Sequence, residues 1–130
     1  MAKQVKGKSG TTYIIEDDGG RRGKSMSMRV LWDMLPLSSR GFGSLRIRKG
    51  VEIGNGAILS IQASKNHYSQ PREDDAPSYT HFEVLAEGAK IPELSPYSED
   101  VVSWSSVYPF VPAEVLDAIF KRYGFVGIKD

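Results

Sequence analysis

The chain has 130 residues, no cysteine, a formal net charge of +1, and 40% hydrophobic against 25% charged residues, the balance of an ordinary globular domain. That length buries enough surface for one domain to fold alone, and the lack of cysteine excludes disulfides and thiolate zinc sites and fits a reducing cytosol. No apolar run approaches the ~20 residues of a membrane helix, and Met-Ala-Lys-Gln-Val-Lys-Gly-Lys at the start has no apolar core behind its charges, so neither a membrane span nor a secretory signal is expected.

The small net charge hides an asymmetry. Residues 1–50 carry eleven Lys and Arg against four acids, a net of +7, whereas residues 51–130 carry six against twelve, a net of −6. Such a split fits an anion-binding half, and it fits equally two halves that attract each other within or between subunits.

Residues 1–10 are basic and contain Gly and Ser, the composition of a flexible tail; residues 11–130 then form a single α+β domain. Thr11-Thr-Tyr-Ile-Ile-Glu16 is β-branched and aromatic and predicts a strand, ended by the turn Asp17-Asp-Gly-Gly20. Residues 25–36 fit two periods. Met26, Val30 and Met34 recur at helical spacing with Ser25 as a cap, while Met26, Met28, Val30 and Trp32 alternate as in a strand; a short helix ending before Pro36 is the reading adopted, with Met and Trp in the core. Residues 37–43 read as a loop, in which Arg40 and two glycines lack the spacing of a phosphate-binding P-loop.

Leu45 and Ile47 alternate with Arg46 and Arg48, predicting a strand over 44–49 that continues through Val51-Glu-Ile53 to a tight turn at Gly54-Asn-Gly56. The next strand, 57–64, places Ala57, Leu59, Ile61 and Ala63 on one face and Ser60, Gln62 and Ser64 on the other. Antiparallel pairing brings Arg46 and Arg48 to that second face, provided the register is right by one residue. The strand leaves through His67, Tyr68, Pro71 and Arg72. Further strands are expected over 79–86 and 101–110, separated by a Gly, Pro and Ser loop. The last helix is marked by Pro112 in its first turn, by Glu114 and Lys121-Arg122 at the matching ends of its dipole, by an apolar face of Val115, Leu116, Ile119, Phe120 and Tyr123, and by Gly124 as its stop. These elements make a mostly antiparallel sheet with the C-terminal helix packed on one face.

Three kinds of chemistry are open to these residues. For catalysis, His67 and His81 are the only histidines and no Gly-x-Ser-x-Gly elbow is present, so neither a triad nor a metal site with Glu83 is fixed by spacing. For nucleic acid, the acidic second half repels a phosphate backbone outside one basic patch. For a small anionic ligand, the set is more complete: Arg72 pairs with a phosphate, His67, Gln62 and Ser64 hydrogen-bond, Tyr68 stacks on a base, and Arg46 and Arg48 add charge. No catalytic residue, metal ligand or cofactor is expected.

The run Leu59-Ser-Ile-Gln-Ala-Ser-Lys-Asn-His-Tyr-Ser-Gln-Pro-Arg72, with Tyr79-Thr-His-Phe-Glu-Val84 and Val107-Tyr-Pro-Phe-Val-Pro-Ala-Glu-Val115, resembles small bacteriophage proteins of the Thoeris anti-defence type. The resemblance covers residues 44–124, leaves the first 43 as an extension, and carries over no ligand contact. It implies a non-enzymatic, homo-oligomeric protein of the host-cell cytoplasm that sequesters a cyclic nucleotide immune signal. The alternative reading is an inhibitor that binds a host protein or nucleic acid through its basic N-terminal half.

Overall fold

A computed structural model describes residues 2–16, 25–38, 47–98 and 107–129. Among the described residues, seven strands and two α-helices run in the order β1 (Ala2–Lys6), β2 (Thr12–Glu16), α1 (Met28–Met34), β3 (Gly50–Ile53), β4 (Ile58–Gln62), β5 (His81–Glu87), β6 (Val107–Pro112), α2 (Ala113–Tyr123) and β7 (Phe125–Lys129), with a 3-10 helix over Pro92–Tyr97. The fold is α+β: a five-stranded antiparallel sheet in the order β6-β5-β4-β3-β7, and a separate two-stranded sheet of β1 and β2. No helix among the described residues is long and apolar enough to cross a membrane.

Alternation sets the inner face of the main sheet. Val51, Ile53, Leu59, Ile61, Phe82 and Val84 are wholly or almost wholly buried, and the pairings Val51 with Leu59 and Ile61 with Val84 keep them on one side. Leu116, Ile119 and Phe120 of α2 and Met28, Leu31 and Met34 of α1 join them in one core. Each large side chain buried there contributes about 1.5–3 kcal/mol. The β3–β4 hairpin turns at Gly56, whose φ of 88° suits glycine, and the Asn55 carboxamide oxygen accepts from Ala57 N at 3.0 Å.

Several expectations need correction. Residues 2–6 are a strand hydrogen-bonded to β2, not part of a tail; Gln4 and Val5 pair with Ile14 and Tyr13, partners that composition alone does not reveal. The helix in 25–36 is capped by Ser27, whose Oγ accepts from Val30 N, and not by Ser25. The strand expected over 44–49 is absent from its described part: Arg48 makes only an isolated bridge to Leu37, and regular pairing starts at Gly50. Pro112 is the residue before α2 rather than its first turn. The loop over 87–100 contains the 3-10 helix, which Glu93 ties to α2 through Arg122 (2.9 Å) and Tyr123 (3.1 Å). The extended end after Gly124 is β7, an edge strand paired with β3. The turn at 17–20, most of the loop at 37–43, residues 44–46 and Trp104 lie outside the described residues.

Candidate functional site

The residues expected to bind a ligand fall into two groups. Arg48 and Gln62 form the first. Extending the β3–β4 register places them opposite each other, on one face as expected, but that face is closed. Gln62 is 5% exposed. Its Oε1 accepts from Arg48 N at 2.7 Å and its Nε2 donates to Arg48 O at 2.9 Å and to Ser60 Oγ at 2.9 Å. The side-chain amide thus stands in for the ladder bonds that β3 does not reach, and both of its N–H donors are spent within the protein. Arg48 is itself buried, and its Nη1 donates to Leu35 O at 3.3 Å.

The second group is the turn after β4. Ser64 is fully buried, contrary to the expected open face. Its Oγ lies 2.6 Å from His67 Nδ1 and accepts from Asn66 N at 3.0 Å. Burial pushes the His67 imidazole below its usual pKa, against the opposing pull of Glu83 and Asp74. Buried Ser69 bonds to the carbonyls of Ser64 and Pro71, and Tyr68 N donates to Glu83 Oε2 at 3.0 Å. This scaffold turns Tyr68 and Arg72 outward, with the Arg72 guanidinium 5.0 Å from the Tyr68 ring centroid and the Phe110 ring 5.8 Å from it. Tyr68 and Phe110 are 44% and 42% exposed. The group makes a ridge rather than a cavity. Arg46 lies outside the described residues.

The concavity lies elsewhere. A groove of about 1120 Å³ opens between the β1–β2 turn, α1 and the chain from Asp75 to Thr80. Of the expected site residues that are described, only Arg48 lines it. Its floor is an aromatic cluster: the Trp32 ring meets Tyr79 edge-on at 5.5 Å and Phe82 at 5.2 Å. Two cations lie against that same indole, Lys8 Nζ at 4.7 Å and the Arg48 guanidinium at 5.0 Å from its centroid. Tyr79 also fixes the wall, since its hydroxyl donates to Glu73 O at 2.6 Å and accepts from Ala76 N at 3.1 Å. A smaller cleft of about 460 Å³ between β2 and α1, lined by Met26, Val30 and Met34, has no charged side chain among the described residues that line it.

Lys8 is solvent-exposed as a residue, yet its ammonium sits on the indole. Desolvation there, reinforced by the charge of Arg48, pulls its pKa down from 10.5 to about 8, against Asp33 and Asp75. Asp33 fixes the turn that carries Lys8. Its carboxylate accepts from Ser9 N (2.8 Å), Ser9 Oγ (2.6 Å) and Tyr13 OH (2.7 Å), and its backbone carbonyl accepts from Lys8 N (2.9 Å). Those hydrogen bonds hold the Asp33 carboxyl below its usual pKa and raise that of the Tyr13 phenol.

Lys8, Trp32, Asp33 and Tyr79 were not expected at a site. They are scattered along the chain, and only the unforeseen β1–β2 sheet brings Lys8 to α1. Among the described residues no three His, Asp or Glu side chains group as a metal site, and His81 bonds to its neighbour Thr80. Compared with known proteins, the chain matches no family model, no curated protein and no solved structure, so its site is read from geometry alone.

Proposed function

We propose that the groove binds a small anionic nucleotide and that the protein works by holding it. The observation that carries this reading is the pair of cations, Lys8 and Arg48, on one indole at the floor of a groove large enough for such a ligand. The partly exposed Trp32 ring offers a surface for a base, and the cations offer one for phosphate. Holding rather than turnover is favoured because the one serine–histidine side-chain contact among the described residues, Ser64 with His67, has a fully buried serine and lies outside the groove. The likeness of Leu59–Arg72 and Val107–Val115 to anti-defence sponges extends the reading to sequestration of a cyclic nucleotide immune signal in the host cytoplasm by a homo-oligomer.

The test is to incubate the purified protein with a panel of linear and cyclic nucleotides, separate bound from free, heat the protein and identify what is released. Intact nucleotide, with affinity lowered roughly tenfold or more by Lys8→Gln, supports the reading. A degraded nucleotide identifies an enzyme. No binding moves the function to a macromolecular partner of the basic N-terminal half.

A further inference from the structure

The hairpin of β1 and β2 is a sheet of its own, with no ladder to the five-stranded sheet. We infer that it is a strap over the groove, which swings open as one unit about Asp33 while the main sheet stays folded, and so admits the ligand. The role in ligand entry rests on the nucleotide reading above; the motion does not.

The seams decide which part moves. Inside the hairpin, paired residues run without a break from Ala2 with Glu16 to Lys6 with Thr12. Between the hairpin and the body, the hydrogen bonds among the described residues all end on one residue, Asp33, to which Lys8 N, Ser9 N, Ser9 Oγ and Tyr13 OH donate. Beyond these, Val5 and Tyr13 rest half-buried against the rim of the core, and the Lys8 ammonium lies on Trp32. A two-stranded hairpin is marginal alone, and a seam fastened at one point opens more readily than a ladder paired along its length.

The space around the seam has room for the movement, because the hairpin meets α1 at Asp33 with an opening on either side. On one side Tyr13 and Ile14 face Met26, Val30 and Met34 across the cleft of about 460 Å³, and Ile14 is 65% exposed. On the other, Lys8, Ser9, Thr11 and Tyr13 wall the groove of about 1120 Å³ above Trp32. Tyr13 lines both, so a tilt about Asp33 widens one space as it narrows the other. Gly7 brings the turn down onto the pivot. A Cβ there would lie 2.6 Å from Asp33 Cγ, so a side chain at this position would push the turn away.

That close approach supplies the test. The chain has no cysteine, and Gly7→Cys with Asp33→Cys sets two Cβ atoms within the ~4.5 Å reach of a disulfide. Oxidation then shuts the strap, and reduction leaves it without its aspartate. Hydrogen exchange of the full chain at pH 7 and oxidative footprinting of Trp32, both read by mass spectrometry, compare the wild type, the double variant oxidised and reduced, and Asp33→Ala. In the wild type, residues 2–6 and 12–16 should exchange together and ahead of β3, β4 and β5. In Asp33→Ala and the reduced double variant they should exchange roughly tenfold or more faster, and Trp32 should react faster, with the main sheet unchanged; oxidation should reverse both effects. The inference falls, and the nucleotide reading stands, if the hairpin exchanges only with the main sheet, if β1 and β2 exchange independently, or if the oxidised and reduced forms protect residues 2–16 alike. Ligand entry is read separately, from association rates of ADP and 3′,5′-cyclic AMP, which should be lower in the oxidised form than in the reduced one. Equal rates overturn the role in entry. A strap that opens as expected while no nucleotide of the panel binds overturns the nucleotide reading and the entry role, and leaves the motion established.

Discussion

Replacing Gln62 by leucine separates a structural residue from a ligand contact. The side chain is 5% exposed and makes three hydrogen bonds, two of them to the backbone of Arg48 at 2.7 and 2.9 Å. Leucine fills a similar volume but leaves the Arg48 N–H and C=O without these partners. Each buried polar group so exposed to an apolar neighbour costs about 1–3 kcal/mol, while the added apolar burial returns about 1–2 kcal/mol. The net expectation is a loss of about 3 kcal/mol. For a domain of 130 residues that corresponds to a drop of about 10 °C in Tm. Gln62→Glu is predicted to do less harm, and its harm to shrink on acidification. A carboxylate can accept from Arg48 N but opposes Arg48 O, whereas the protonated acid can donate to it. Urea unfolding at pH 7 and pH 5 measures both. A Gln62→Leu variant within about 0.5 kcal/mol of wild type, yet defective in nucleotide binding, would refute this reasoning and return Gln62 to the ligand site.

Other outcomes follow from single contacts. Gly54→Ala drives a Cβ into the Tyr123 carbonyl oxygen, a clash with backbone, and should destabilise by several kcal/mol in denaturant titration. His67 has a depressed pKa, so the unfolded chain takes up its proton first; stability from this group is complete above pH 6.5 and declines as pH falls further, and NMR titration of the imidazole should place its midpoint below 6.5. Asp33 is likewise depressed, so its hold on the hairpin is complete above its usual value of 3.8 and is lost as pH falls through its folded pKa; hydrogen exchange of residues 2–16 should rise there in the wild type and show no such step in Asp33→Asn. Phe110 sits at φ 52° in an edge strand and is 42% exposed. Phe110→Gly should therefore be neutral or stabilising by up to ~1 kcal/mol in thermal unfolding, where removing an ordinary strand aromatic costs several.

The sequence made some of this architecture legible for identifiable reasons. Period-two alternation in 57–64 and 79–86 and the 3.6-residue stripe of α2 are signals contained within a few residues, and both come out as read, with Leu59, Ile61, Phe82, Val84, Leu116 and Ile119 in the core. The 25–36 stretch was legible only as an ambiguity. What decides it is Ser27, one turn ahead of Leu31, together with Asp117 of α2, whose carboxylate accepts from Met28 N at 2.6 Å from 89 residues away. The β1 strand was illegible because a polar, lysine-rich segment becomes a strand through its partner and not through its own propensity. The same limit explains the site. Ser60 and Gln62 alternate with the core residues of β4 as read, but whether a face is open depends on what covers it, and here Gln62 is buried against Arg48, while Ser64 is buried in the turn that follows.

The two exposed clusters therefore call for different explanations. At the ridge, a run of polar contacts through Ser64, Ser69 and Glu83 is spent on holding Tyr68 and Arg72 outward beside a Phe110 whose backbone is in the left-handed region. At the groove, a single aspartate holds a lysine against a tryptophan that already carries an arginine. Exposed rings suit a flat contact, while a floor of rings with two cations against one indole suits a small anion enclosed on several sides. The ridge bears the sequence motif, yet the groove has the geometry of a ligand site. A variant pair decides between them: Arg72→Ala, read from the sequence as the phosphate contact, should leave nucleotide affinity within about twofold, while Lys8→Gln lowers it roughly tenfold or more. The reverse pattern would place the ligand on the ridge and leave the groove to some other use.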